Sequence, residues 1–259
     1  MRCHEVDYVI MGDDLQYVKV ELDPGEKVIA EAGAMMFMEE DISFEAKMGD
    51  GTDLSSKITT AFKSMAKRFL ARESIFMTHF TNQSTSLKRK VVFAAPYPGK
   101  IIPVDLGEIG GRVIAQKDAF LCAAFGTKLD IAFRRKLSTG LFGGEGFIMQ
   151  NISGDGLVFL QVGGAVYERR LNGEKLLVDT GCLVALEPQV DYSIERAGDL
   201  KSMLLGGEGL FLATLQGHGR VWLQSLPFNR LAAQVLSTAP RSQGEGSVLG
   251  RGATIFERT

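Results

Sequence analysis

Short apolar or alternating runs bounded by Gly, Asp and Asn dominate the chain, as at positions 17–22, 42–46, 147–152, 157–162 and 220–225. Their length and their punctuation predict strands. Two stretches follow a different period. At about 100° per residue, Leu54, Ile58, Ala61, Phe62, Met65 and Phe69 gather on one face, while Lys57, Lys63, Lys67 and Arg68 fall on the others. That pattern predicts a short inserted helix over 54–70. The run 227–236, with a proline at its start, predicts a C-terminal helix. Residues 237–259 are rich in Gly, Ser and Arg and read as a flexible tail.

The strand pattern repeats. One motif reads Gly25-Glu26-Lys27-Val28-Ile29-Ala30-Glu31 and returns from Gly110 to Gln116 and from Gly173 to Asp179: a turn glycine, a basic residue, an apolar run and a polar corner. A second reads Glu73-Ser74-Ile75-Phe76-Met77 and returns from Glu145 to Met149 and from Glu208 to Leu212. Gly110 and Glu145 are 35 residues apart, as are Gly173 and Glu208. Gly25 and Glu73 are 48 apart, and the surplus of 13 fits the predicted inserted helix. Two motifs in one order at a matching interval imply a triplicated unit. The expectation is an all-β chain of three tandem β-sandwich or double-stranded β-helix-like units in a pseudo-three-fold arrangement. The units are placed at about 6–80, 88–153 and 156–225, within a single β domain over 1–236.

Composition narrows the function more than it names it. Hydrophobic residues make up 45% and charged residues 23%, so the chain can build a core. A net charge of −2 provides no global field for nucleic acid or anionic lipid. Cys3, Cys122 and Cys182 are odd in number and far apart, which fits free thiols in a reducing compartment. The first residues show no apolar signal-peptide core, and a cytoplasmic location is expected.

With the repeat in place, the chain resembles a known family. The Gly-Gly-Glu-Gly steps at 143–146 and 206–209, Arg72-Glu73-Ser74-Ile75-Phe76 and the ending Ser225-Leu226-Pro227-Phe228 carry the resemblance, which spans about residues 6–236. It is to the uncharacterised bacterial proteins grouped with the fungal "altered inheritance of mitochondria" protein, the mitochondrial biogenesis family. The resemblance implies a unit like that of the tryptophan RNA-binding attenuation protein, with no assigned enzymatic activity. Mitochondrial location belongs to the eukaryotic members and is not carried over.

No residue pattern indicates a reaction. His4, His79 and His218 are the only histidines, do not align between repeats and form no metal-ligand spacing. No Gly-x-Ser-x-Gly elbow occurs, and Gly154-Asp155-Gly156 and Gly217-His218-Gly219 read as hairpin turns. The chain is therefore expected to have no catalytic, cofactor-binding or metal residues and no cofactor. Two interaction features stand out. Lys57, Ile58, Phe62, Lys63, Met65, Lys67, Arg68 and Phe69 would form a basic amphipathic helix for a partner groove or an anionic membrane, or else a lid on the sheet. Glu73, Glu145 and Glu208, equivalent by repetition, would form a carboxylate ring or else tie their own strand corners. Basic clusters at 88–90, 134–136 and 169–170 lack interleaved aromatics, so DNA is not expected and RNA is disfavoured. The function expected is a non-enzymatic binding or scaffolding protein for a protein partner or anionic membrane surface, acting as a homo-oligomer. The alternative is a small-molecule-binding or enzymatic cupin-like β-helix protein.

Overall fold

The alternating run at 17–22 becomes β2 (Tyr17–Leu22), in which every second residue is buried. In the computed structural model, which describes residues 2–48, 76–135, 146–196 and 211–238, it belongs to the first of three antiparallel sheets. That sheet runs β1-β2-β7-β4, with β1 (Asp7–Met11), β7 (Arg89–Ala94) and β4 (Met35–Met38). The second runs β5-β6-β3-β10-β13-β8. Its strands are β5 (Ile42–Met48), β6 (Phe76–Asn82), β3 (Lys27–Glu31), β10 (Phe120–Ala124), β13 (Leu157–Gly163) and β8 (Gly99–Asp105). The third runs β11-β12-β9-β15-β17-β14, with β16 (Val190–Arg196) also paired to β17. Its other strands are β11 (Lys128–Arg135), β12 (Phe147–Ser153), β9 (Arg112–Gln116), β15 (Leu183–Leu186), β17 (Phe211–Gln224) and β14 (Val166–Asp179). The expected C-terminal helix is present as α1 (Phe228–Thr238). It takes in Ser237 and Thr238, which the sequence reading assigned to the tail; the rest of that segment lies outside the described residues.

Strand pairing falls into three sets with one connectivity: β2 to β7, β8 to β13, and β14 to β17. In the last set β14 and β17 each bend and serve as two strands. The first strand of each set pairs with its sixth, as in β2·β7, β8·β13 and 166–172 of β14 with β17. The second pairs with the fifth, and in the same register every time: Glu31 faces Met77, Gln116 faces Met149 and Asp179 faces Leu212. These are the residues that the two sequence motifs align. The third strand pairs with the sixth through a bulge at one equivalent place, between Met35 and Phe37, Phe120 and Cys122, and Leu183 and Ala185. Gly25, Gly110 and Gly173 all lie at positive φ (82°, 85° and 102°) where the first strand turns into the second, a conformation that penalises any Cβ.

Two turn assignments are corrected. Gly154-Asp155-Gly156 joins β12 to β13, which lie in different sheets, so it is an arch between layers. Gly217-His218-Gly219 is not a chain reversal; it lies inside β17, opposite Asn172 and Val190. Glycine doublets separated by one residue mark a sharp bend, but the residues alone do not say which sheet the chain enters next.

The units are joined by pairing the third strand of one with the second strand of the unit before it. Cys122 faces Ala30 and Ala123 faces Ile29 in β10·β3; Ala185 faces Ala115 and Leu186 faces Ile114 in β15·β9. Strands at these junctions sit between two cores and supply one face to each. In β3, Val28 and Ala30 join the core of the first sandwich while Ile29 joins the next core. In β9, Val113 and Ala115 share that second core while Ile114 joins the third. Covering on both faces is why these strands read as continuous apolar runs, whereas β2 alternates.

Candidate functional site

Among the described residues, three units joined in this way form two junctions and leave two ends. At one end is β4, the third strand of the first unit, whose outer edge pairs with no strand among the described residues. At the other is 175–179 of β14, the second strand of the third unit, which among the described residues pairs with β17 alone. The repeat makes Met35, Met36 and Phe37 equivalent to Phe120, Leu121 and Cys122, and to Leu183, Val184 and Ala185. The six internal residues are buried, but Met36 is 57% exposed and Phe37 46%. Leu177 is likewise equivalent to the buried Ile29 and Ile114, yet is 58% exposed. Leaving about half of such a side chain in water forgoes on the order of 1 kcal/mol. Neither strand carries the lysine or proline that commonly blunts a sheet edge, except Lys175 at the start of its segment. The first unit adds Phe44, Tyr8, Val9, Met11 and Leu15 to the exposed apolar residues.

A second arrangement lies where the first junction turns its corner. Glu31 ends β3 against the short 3-10 turn Lys117–Ala119. Burial, reinforced by the neighbouring Asp118 carboxylate, pushes the Glu31 carboxyl up to about 7. Burial and the same two carboxylates push the Tyr97 phenol up to about 12. Beside them the buried Gln161 donates from Nε2 to the Asp118 carbonyl at 2.6 Å, but its Oε1 has no partner. Gln224, its equivalent in the third unit, donates to the Gly181 carbonyl and accepts from the Gly163 amide at 2.9 Å. The link ahead of β8 has Pro96 and Pro98 where the later link has glycines, and proline has no amide hydrogen to give.

The described histidines are dispersed in roles. His4 accepts the Lys27 amide at Nδ1, and both His4 and His79 set their rings edge-on to Phe125. Burial, with Lys47 and Lys27 nearby, lowers the His79 pKa. His218 lies against Gly173 in the β14–β17 bend. Among the described residues no three His, Cys, Asp or Glu side chains converge as metal ligands. Cys122 is buried, which raises its thiol pKa well above the usual range, and Cys3 and Cys182 are partly exposed. The basic residues at 88–90 are matched by carboxylates: Lys88 by Asp7, Glu21 and Asp23, Arg89 by Glu40 and Asp41, and Lys90 by Glu21. Arg169 pairs with Glu174. The expected interaction helix (Lys57, Ile58, Phe62, Lys63, Met65, Lys67, Arg68 and Phe69) and the carboxylates Glu73, Glu145 and Glu208 lie outside the described residues. No helix among the described residues is long and apolar enough to cross a membrane.

The sequence reading missed the two sheet ends. A signal existed in Met35-Met36-Phe37-Met38, an apolar run in the first of the three units at the position of the junction strands β10 and β15.

Comparison with known proteins agrees with this architecture. A crystal structure of a Streptococcus pyogenes protein, SPYM3_0169, superposes with a TM-score of 0.72 over 91% of this chain and 100% of that one, at 21% identity. An uncharacterised protein of Streptococcus pyogenes serotype M6 is 27% identical over 228 residues, 87% of each chain. The sequence model of the mitochondrial biogenesis AIM24 family matches residues 8–226. A match over that much of the sequence makes this protein a member of the mitochondrial biogenesis AIM24 family.

Proposed function

We propose that this chain is a non-enzymatic scaffolding protein of the cytoplasm, whose β body binds a partner along the exposed edge of its first unit. The observation behind this is β4, a strand as apolar as the buried junction strands yet exposed at Met36 and Phe37. An unpaired apolar edge takes up another strand by main-chain hydrogen bonding, with alternate side chains giving selectivity. The test is cross-linking and capture with tagged protein in the organism that encodes it. Met36→Lys with Phe37→Lys should lose the partners that wild type retains, while Leu87→Lys, at another exposed apolar residue, should keep them. Retention of the same partners by the edge variant sinks the proposal.

One observation favours the small-molecule reading: Glu31, Asp118 and Tyr97 gather beside the unpartnered Gln161 oxygen. A polar ligand seated there would protect the protein thermally, and Glu31→Gln would abolish that protection. A metabolite screen with no melting shift that depends on Glu31 removes this reading.

A further inference from the structure

We propose that copies of this chain join head to tail, with β4 of one copy pairing antiparallel with 175–179 of β14 in the next. This rests on the edge-binding reading above and names the partner as a second copy. The contact would continue the junctions already inside the chain, where the third strand of one unit pairs with the second strand of the unit before it.

The register follows from the repeat. Cys122 faces Ala30 and Ala185 faces Ala115, so Phe37 faces Val178; Ala123 faces Ile29 and Leu186 faces Ile114, so Met38 faces Leu177. The β4 end already has a feature that such pairing uses inside the chain. The bulge that lets β10 and β15 fit their neighbours is present in β4, between Met35 and Phe37. Charge also matches. At the first junction Lys27 stands over the Phe125 ring at 5.3 Å. At the proposed one Lys175 takes the place of Lys27 and Glu40 that of Phe125, so an ammonium meets a carboxylate. The side chains that pairing would cover, Met36, Phe37 and Leu177, are the ones whose equivalents are buried inside the chain. Because the two surfaces differ, the contact is heterologous and adds copies in one direction, closing into a ring or growing as an open array.

Sedimentation and light scattering of the purified full chain test this. Wild type at tens of micromolar should have a mass that is a multiple of 28.2 kDa. Phe37→Asp and Leu177→Asp should each be monomeric. An equimolar mixture of the two should form a dimer and nothing larger, because each copy retains one intact edge. That recovery also shows that both variants are folded. Glu40→Lys should weaken assembly at least tenfold, and adding Lys175→Glu should restore it. A wild-type monomer, an assembly indifferent to both edge variants, or a mixture that stays monomeric would each overturn the proposal. If wild type is monomeric but Phe37→Lys still loses a captured protein, head-to-tail joining fails and edge binding stands. If the edge variants change neither, both fail.

Discussion

The β9·β15 junction and the outer edge of β4 use equivalent positions of one repeat under opposite conditions. At the junction Leu183, Val184 and Ala185 lie between two cores, one holding Val184 and Ala185 and the other Leu183. In β4 Met38 packs against a core, while Met35, Met36 and Phe37 are exposed. Backbone register and bulge are the same, so what differs is whether a strand of another unit lies alongside. An apolar strand is thus not by itself a core element; its neighbour makes it one.

The largest effect expected from this contrast is a charge placed at equivalent sites. Ala185→Asp buries an ionisable group between two cores and should cost at least about 4 kcal/mol, seen as a fall of about 10 °C or more in Tm. Phe37→Asp, read at a concentration low enough to keep the chain dispersed, should change stability by about 0.5 kcal/mol or less. Equal losses at the two sites would mean that β4 is as enclosed as β15.

A second contrast sets Glu31 against Gln116, which holds the same place at the second junction. Glu31 is raised to about 7 by burial and Asp118, from an ordinary value of 4.5. Between those values the folded state holds a proton that the unfolded chain has released. Stability must therefore fall as pH rises from 4.5 to 7, by on the order of 2 kcal/mol. Glu31→Gln should flatten that part of a denaturation series. His79 acts in the opposite direction, since its lowered pKa makes stability rise with pH up to its ordinary value of 6.5. The expected difference is thus between wild type and Glu31→Gln rather than in the raw wild-type slope. An unchanged slope in the variant would place the carboxylate in water.

The smallest contrast lies between Gln224 and Gln161. Gln224→Leu removes hydrogen bonds to Gly163 and Gly181 and strands both groups, costing about 2–3 kcal/mol. Gln161→Leu gives up one hydrogen bond and relieves an unpaired oxygen, costing about 1 kcal/mol or less. Urea denaturation of the two variants decides it, and equal costs would mean that the Gln161 oxygen has a partner after all.

Much of this was legible beforehand. An alternating run located β2 and short apolar runs located β12 and β13, and the interval between motifs located the second and fifth strands, because repeated pairings need repeated residues at Glu31 and Met77 and their equivalents. The sheet to which each strand belongs was not legible. β7 and β13 follow the arches after β6 and β12, and nothing local in Gly154-Asp155-Gly156 distinguishes an arch between sheets from a hairpin within one. The polar corner at Glu31 was visible as a motif position, but its raised pKa depends on Asp118 and Tyr97, which are remote in sequence.

By itself, the sequence determined the all-β class, the C-terminal helix, the three matched glycine turns at Gly25, Gly110 and Gly173, and the family. All of these follow from short-range periodicity, backbone sterics and repetition along the chain. Only the tertiary structure decided which apolar strands became core. Val28, Ile29 and Ala30 are covered on both faces, whereas Leu177 and Phe37 are left exposed. Burial depends on which unit lies next in space, and among the described residues the two end strands have no strand beside them on one side.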